Sequence, residues 1–371
     1  MGDGRDDRLS SEREGRKARF LSAHGFGDVR REPLAGDAST RLYERLHRPA
    51  GASLIFMDQP PSVETPPCPP DAGPAERLAL GYNARARLAA GRIEAFVAVA
   101  GYLRARGFSA PEVLAFDAEA GLAVLEDLGD DLFASRIAGG EPETPLYEAA
   151  VDLQAALHAE APPQRLQAGA LTWPLLDYDE LALGVGPELF LEWWPKFSGR
   201  PPFSAEAQAE WNTLWAPIRQ RGAEGANVFT HRDYHAENLV WLPQRTGVAR
   251  VGLLDFQDAL RAHPAWDLLH LLQDARREVE PALEARMLDR YLDARPHLDR
   301  EGFLADYRAL AALNATRILF IFARQVAGYG RPRYRAFMPR VWRALERDLA
   351  DPALVPLKAW FDREIPPETR Q

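Results

Sequence analysis

The residues best suited to chemistry lie in two neighbouring segments, 228–242 and 250–258, each with an apolar run beside acidic and amide side chains. A polar stretch separates the two apolar runs, so the pattern predicts an antiparallel hairpin. If the strands pair about residues 246–247, Asn238 lies opposite Asp255 at the roughly 4.5–5.5 Å spacing of cross-strand neighbours. The two polar side chains would then meet at one end of the hairpin.

Asn238, Asp255 and the nearby Asp233 form a set typical of metal-assisted phosphoryl transfer. An amide oxygen and a carboxylate can share a hard cation, and a second carboxylate beside them can accept a proton. Each residue alone has a structural explanation, because loop aspartates form turns and asparagines cap them. Their joint spacing favours the functional interpretation.

Composition limits the classes of protein that can contain this set. The chain has 371 residues, 46% hydrophobic and 27% charged, which predicts a soluble globular enzyme built from more than one unit. A net charge of −9 argues against nucleic-acid binding, and the single Cys68 fits a reducing compartment. The charged N-terminus and the absence of a run of about 18 apolar residues argue against secretion and membrane insertion. We therefore expect a cytoplasmic monomer.

The elements that position the set divide the chain near Leu128. Residues 1–14 are polar and predicted to be disordered, 15–128 favour strands, and 129–371 favour long helices. Strands are expected over 29–34, 41–47, 53–57, 111–116 and 121–125, and helices over 93–107, 143–159, 264–277, 280–293, 300–328 and 333–349. Residues 162–225 are rich in Trp, Pro and Gly, and we expect them to be the least regular part of the helical half.

The stretch His231-Arg-Asp-Tyr-His-Ala-Glu-Asn238, followed by Asp255, resembles the catalytic loop and metal-binding aspartate of the protein-kinase-like superfamily. His235 comes two residues after Asp233, as in aminoglycoside and choline kinases. Trp266-Asp-Leu268 follows Asp255-Phe-Gln-Asp258 so closely that no activation loop fits between them, which also resembles those kinases. The resemblance implies an α+β, two-lobed fold with a small antiparallel sheet and one main helix in the first lobe. The second lobe would be larger and mostly helical, and the acceptor a small molecule.

The resemblance also implies roles for individual residues. Asp233 would be the catalytic base, Asn238 and Asp255 would hold Mg²⁺ on ATP, and Asp267 would be a structural acid. The predicted nucleotide-binding residues are Gly36, Ser39, Thr40, Arg41, Glu126 and Leu128.

One departure concerns the lysine that grips the nucleotide phosphates in kinases. The corresponding strand has Met57, and no lysine occurs between residues 18 and 195. Either an arginine replaces it, with Arg41 or Arg45 on the preceding strand the best placed, or the protein is an inactive nucleotide or sugar sensor.

The motifs as a set are similar to those of bacterial anomeric N-acetylmuramate/N-acetylglucosamine kinases, which serve peptidoglycan recycling. They occupy residues 36–43, 56–61, 124–130, 230–243, 252–259 and 267–276. The resemblance implies ATP-dependent phosphorylation of the C1 hydroxyl of these amino sugars. A kinase of the same fold acting on an aminoglycoside or choline is the alternative.

An amino sugar needs hydrogen-bond partners and an apolar wall, and a lactyl carboxylate favours an arginine fork. The competing interpretations are core packing for the tryptophan, ion pairing for the arginines and loop packing for the histidine. The predicted substrate-binding residues are His235, Glu192, Trp194, Asp258, Arg317 and Arg324.

Overall fold

The computed structural model describes residues 3–34, 41–49, 51–59 and 66–370. It has a five-stranded antiparallel sheet near the N-terminus followed by a mostly helical part, which confirms the α+β prediction. The strands are β1 (Arg30–Pro33), β2 (Leu42–His47), β3 (Leu54–Asp58), β4 (Val113–Asp117), β5 (Leu122–Glu126), β6 (Arg165–Ala168), β7 (Leu171–Pro174), β8 (Val228–Thr230), β9 (Leu239–Trp241), β10 (Val251–Leu253) and β11 (Leu260–Ala262).

Helices account for most of the chain after β5. The α-helices are α1 (Asp3–Ala23), α2 (Pro74–Leu80), α3 (Tyr82–Ala86), α4 (Ile93–Ala105), α5 (Phe133–Ala138), α6 (Glu143–Leu157), α7 (Glu180–Ser198), α8 (Ala205–Glu224), α9 (Ala265–Leu272), α10 (Pro281–Ala294), α11 (Arg300–Ala327), α12 (Met338–Asp348) and α13 (Val355–Glu364).

The sheet has the strand order β1-β2-β3-β5-β4, and side-chain alternation along β3 gives it two covered faces. Leu54 and Phe56 point to one face, and Ile55 and Met57 point to the other. Helix α4 packs on the Met57 face, whereas α1 covers the Phe56 face. Both faces are therefore apolar and shielded from water.

Helix α1 differs from the sequence prediction. A disordered tail was expected over residues 1–14, but the helix begins at Asp3. Its later turns place apolar residues on the sheet, and the Arg13 guanidinium donates to the Asp58 carboxylate and to the carbonyl oxygen of Ala120 at 2.6 Å. Long-range contacts of this kind do not appear in a local polar pattern.

The helical part is built around α11, which packs against α7 and α12. Helix α11 is long and apolar enough to span a membrane, the one such helix in the described ranges, yet 67% of its most apolar stretch is buried inside the protein. The expectation that residues 162–225 are the least regular part of the helical half is wrong, because α7 and α8 occupy most of this range. Their internal prolines, such as Pro187 and Pro217, obscure the helical pattern in the sequence.

The catalytic hairpin forms as predicted, but its register differs by one residue. Leu253 pairs with Leu239, and the N–H of Leu254 donates to the carbonyl of Asn238 at 3.0 Å. Asn238 is therefore opposite Leu254 rather than Asp255. The cause is the connection, which contains a 3₁₀ turn over Gly247–Arg250 and so shifts the centre of the hairpin.

Residues 74–92, which contain α2 and α3, connect the sheet to the helical part and are called the bridging segment below. Helix α3 packs against α7. The buried Arg77 makes a two-pronged ion pair with Asp179 at the start of α7, at 2.5 and 3.1 Å, and Arg87 contacts the same carboxylate at 2.9 Å. The bridging segment precedes Leu128 in the sequence but is fixed to the helical part.

Candidate active site

The loop between β8 and β9 carries the predicted catalytic residues, and a buried carboxylate holds its shape. Asp267 accepts the backbone N–H groups of His231 at 2.7 Å and Arg232 at 2.9 Å. Burial raises the pKa of Asp267 to about 7, although these hydrogen bonds favour the ionised form. This geometry matches the structural role predicted for Asp267.

Arg232 anchors the loop from the other side. Its φ of 81° is in the left-handed region, which is uncommon for a residue with a side chain. Its guanidinium donates to the carbonyl oxygens of Ala86 and Arg87 at 2.7 and 3.0 Å and lies over the Tyr178 ring. The loop is therefore tied to the bridging segment.

The predicted base, Asp233, is half-buried at the centre of the loop. Burial favours its neutral form, but the neighbouring positive charges, led by Arg317, together outweigh burial, so the pKa of Asp233 lies below the usual value. The carboxylate is ionised at neutral pH and can accept a proton. His231 does not compete for this role, because burial lowers its pKa to about 4 and the Asp233 N–H donates to its Nδ1.

Asn238 and Asp255, the predicted metal ligands, present oxygens suited to a hard cation. The Asn238 amide nitrogen donates to the carbonyl of Asp233 at 2.9 Å, which leaves its side-chain oxygen available. Asp255 follows β10 with a φ of 60°, and its side chain is 40% exposed. The donor set, one amide oxygen and one open carboxylate, fits Mg²⁺ completed by water and phosphate oxygens.

Arg41 contacts this ligand set directly. Its guanidinium donates to Asp255 Oδ1 at 2.6 Å and to Gln257 Oε1 at 2.7 Å. Arg45 points elsewhere and pairs with Asp127 and Asp130, at 2.7 and 2.6 Å. Of the two arginines considered as replacements for the missing lysine, Arg41 is the one beside the candidate metal site.

Of the other predicted nucleotide contacts, only Glu126 and Leu128 lie in the described part of the chain. Gly36, Ser39 and Thr40 lie outside the described residues. Glu126 ends β5, and its carboxylate accepts hydrogen bonds from Arg245 and Arg104 at 2.6 and 3.1 Å. Leu128 packs near Gly252 at the start of the helical part. Contact of Glu126 and Leu128 with adenine stays a prediction.

His235 is held by a residue that the sequence predictions did not include. Arg276, just after α9, directs its Nη1 to His235 Nε2 at 3.1 Å and its Nε to Glu237 at 3.1 Å. A guanidinium only donates, so His235 Nε2 accepts and the ring proton lies on Nδ1. That Nδ1 is buried without a hydrogen-bond partner among the described residues, so it can donate to a bound acceptor.

Two of the predicted substrate contacts, Asp258 and Arg317, lie beside the loop, and a third, Arg324, lies further along α11. Asp258 accepts the N–H of Ala89 at 2.6 Å, and burial raises its pKa. Arg317 is close enough to Asp233 and Asp258 to interact electrostatically with both. Arg324 lies two helical turns beyond Arg317 on α11.

The prediction that Trp194 contacts the substrate is wrong. Trp194 is 1% exposed and packs against Phe190 and Trp342 in the core, with ring centroids 5.5 and 5.1 Å away. Its neighbour Trp193 is the one beside Arg324, at 5.9 Å. Glu192, which was also predicted to bind the substrate, is exposed and pairs with Lys196 at 2.6 Å.

Comparison with known proteins agrees with this geometry. A model of the phosphotransferase enzyme family matches residues 30–313. The chain is 65% identical over 363 residues to the N-acetylmuramate/N-acetylglucosamine kinase of Caulobacter vibrioides, covering 98% of this chain and 99% of that protein.

Two solved structures share the fold at low sequence identity. The choline kinase LicA from Streptococcus pneumoniae has a TM-score of 0.52 and 16% identity, over 91% of this chain and 99% of its own. The aminoglycoside phosphotransferase APH(2'')-Ib, in an ADP-bound form, has a TM-score of 0.51 and 13% identity, over 88% and 96% of the two chains.

Proposed function

Because the chain belongs to the phosphotransferase enzyme family, we propose that it is a kinase that transfers a phosphoryl group from ATP to N-acetylmuramate and N-acetylglucosamine. The observation that carries the choice of sugar is the 65% identity, over nearly full length, to a kinase named for these two substrates. The arrangement of Asp233, Asn238 and Asp255 on one hairpin supports the choice of reaction.

The acceptor is the anomeric C1 hydroxyl. Asp233 accepts the proton of this hydroxyl as the oxygen attacks the γ-phosphorus, and the bond from that phosphorus to the bridging oxygen of ADP breaks. An ionised carboxylate is required for this role, and the charge of Arg317 keeps the pKa of Asp233 low. His235 presents Nδ1–H, which can donate to an oxygen of the sugar or the transferred group.

Mg²⁺ and the nucleotide would bind at Asn238, Asp255 and Arg41. When bound, the ion neutralises charge on the phosphates. Arg41 adds a fixed positive charge beside Asp255, at the position where the chain needs a substitute for the missing lysine. This substitution argues for an active kinase rather than an inactive sensor.

Cationic substrates such as aminoglycosides or choline are disfavoured because, in the described structure, every acid in residues 177–192 except Glu180 is ion-paired. They would need free carboxylates, but Asp179 is paired with Arg77 and Arg87, and Asp177 with Arg261. Glu192 is paired with Lys196. The positive charge of Arg317 and Arg324 suits a neutral or anionic acceptor instead.

The test is ADP release from Mg-ATP with a panel of N-acetylmuramate, N-acetylglucosamine, an aminoglycoside and choline. Turnover on both amino sugars is expected, with loss of turnover when the metal is chelated and recovery when Mg²⁺ is restored. A product resistant to reducing-sugar detection would place the phosphate on C1. Turnover on the aminoglycoside or choline alone would overturn the proposal.

A further inference from the structure

Two arginines on α11 face the same direction at different distances from the catalytic base. Arg317 and Arg324 are seven residues apart, so they lie on one side of the helix and about 10.5 Å apart along its axis. Arg317 interacts electrostatically with Asp233. Tyr82 of the bridging segment lies near both arginines, with its ring 5.8 Å from the Arg324 guanidinium. The side of α11 that carries the two arginines therefore runs from Asp233 to Arg324.

Three aromatic rings lie around the guanidinium of Arg324. Its carbon lies 5.2 Å from the Tyr329 ring, 5.8 Å from the Tyr82 ring and 5.9 Å from the Trp193 ring. Its Nη2 donates to the Tyr329 hydroxyl at 2.7 Å. Rings around a cation lower the local dielectric and strengthen its interaction with an anion.

Arg324 is also unusual in this chain because it lacks an acidic partner. Most arginines here are ion-paired, as Arg77 and Arg276 are. Over the parts of the chain that the structure describes, no carboxylate lies within 4.0 Å of Arg324, and its hydrogen bond to Tyr329 leaves most of its donors unused. A guanidinium with aromatic neighbours and open donors is suited to a planar carboxylate.

We propose that Arg324, with Tyr82 and Trp193, forms a subsite that binds the lactyl carboxylate of N-acetylmuramate and so distinguishes it from N-acetylglucosamine. This inference rests on the proposed function, since it assigns the part of the acceptor that differs between the two sugars. With the C1 hydroxyl at Asp233, the pyranose ring lies beside Arg317, and the lactyl ether extends along α11 towards Arg324.

The chemistry of the two sugars makes the subsite selective. N-acetylglucosamine has a hydroxyl where N-acetylmuramate has the lactyl ether, so it does not reach Arg324 and gains nothing from it. The carboxylate of N-acetylmuramate gains two parallel charge-assisted hydrogen bonds from the guanidinium. The subsite therefore contributes to one substrate and leaves the other unaffected.

The test compares steady-state kinetics of both sugars at saturating Mg-ATP in the full-length protein. Arg324→Gln is expected to lower kcat/KM for N-acetylmuramate about 10- to 100-fold, the effect of losing a charge-assisted pair. The kcat/KM for N-acetylglucosamine is expected to fall much less, and an unchanged melting temperature shows that the fold is intact. Arg324→Lys keeps the charge without the fork and should give an intermediate loss for N-acetylmuramate.

Arg331→Gln is the matched control. Arg331 lies seven residues after Arg324 in the sequence, beyond the end of α11. It contacts Tyr329 and Gln325 and is exposed. The Arg331→Gln substitution removes the same charge and is expected to leave kcat/KM for both sugars unchanged. The subsite proposal would be overturned if kcat/KM fell equally for both sugars in Arg324→Gln and Arg324→Lys. It would also be overturned if kcat/KM fell for neither sugar. A wild-type protein that turns over neither sugar would overturn the proposed function itself, which the variants alone do not test.

Discussion

The guanidinium of Arg41 lies 2.6 Å from the carboxylate of Asp255, so a cation just before β2 contacts the predicted metal ligand that follows β10. In most kinases a lysine on the third strand provides the phosphate-binding charge, and here that strand carries the buried Met57. Arg41 brings the charge to the same region from a neighbouring strand. The pair also joins the sheet to the catalytic hairpin before nucleotide binds.

Replacing Arg41 tests this substitution. Arg41→Ala should raise the KM for ATP about 10- to 100-fold, because a charged hydrogen-bond donor to the phosphates is lost, and should change the KM for sugar much less. Steady-state titrations of each substrate measure the two effects. Arg45→Ala is the control, since Arg45 pairs with Asp127. It should lower the melting temperature and leave the KM for ATP unchanged, and unchanged ATP kinetics in Arg41→Ala would point to a different cation.

Asp233→Asn removes the proton acceptor and keeps the size of the side chain. The expected result is a fall in kcat of about 10²- to 10⁴-fold, the range for general-base catalysis. Nucleotide affinity, measured by calorimetry, should be retained because Asn238, Asp255 and Arg41 are unchanged. A variant that keeps most of the wild-type kcat would exclude Asp233 as the base.

The neighbouring tryptophans Trp193 and Trp194 should behave differently when truncated. Trp194→Ala removes a fully buried ring and should lower the free energy of unfolding by about 3–5 kcal/mol. Trp193→Ala removes a partly buried ring beside Arg324 and should affect N-acetylmuramate kinetics more than stability. Denaturant unfolding and kinetics of both variants measure the contrast. Similar stability losses would mean that the two rings share one environment.

Asp348 makes the stability of the protein depend on pH. It is fully buried, accepts hydrogen bonds from Gln273 and Arg308, and burial raises its pKa to about 7 from 3.8. The folded state therefore binds a proton more tightly than the unfolded chain. The contribution of this group is fully present below about pH 4 and is lost as pH rises through about 7.

Urea unfolding of wild type and Asp348→Asn between pH 4.5 and 7.5 isolates this contribution as the difference between the two proteins, which should decline by at most about 1.4 kcal/mol per pH unit. The comparison is needed because Asp267 adds a decline of the same sign and the buried His231 adds a rise. Asp351→Asn, a partly exposed carboxylate nearby, should leave the slope unchanged. Equal slopes in wild type and Asp348→Asn would show that Asp348 does not titrate in this range.

The reaction could be predicted from the sequence because its residues are close together in the chain. Asp233, Asn238 and Asp255 lie on one hairpin, so local spacing was enough to group them. The register was misjudged by one residue because the 3₁₀ turn at Gly247–Arg250 adopts a geometry that composition does not specify.

The substrate side of the site was harder to predict because it is assembled from distant segments. Trp193 and Trp194 differ only in which face of α7 they occupy, and the prolines in that helix obscure its phase in the sequence. Arg276 was missed for a similar reason: its contact with His235 spans 41 residues and depends on how α9 ends. The sequence left both Arg41 and Arg45 as candidates for the phosphate-binding cation, and the contact with Asp255 favours Arg41.

The bridging segment has a consequence for dividing or recombining this protein. Its Arg77 and Arg87 neutralise Asp179, its backbone carbonyls receive Arg232, and its Tyr82 forms part of the acceptor face. A fragment starting after Leu128 would lose all of these partners and leave buried charges uncompensated. Chimaeras between related kinases should therefore exchange residues 74–92 together with the helical part, so that the inherited unit is discontinuous in sequence and contiguous in space.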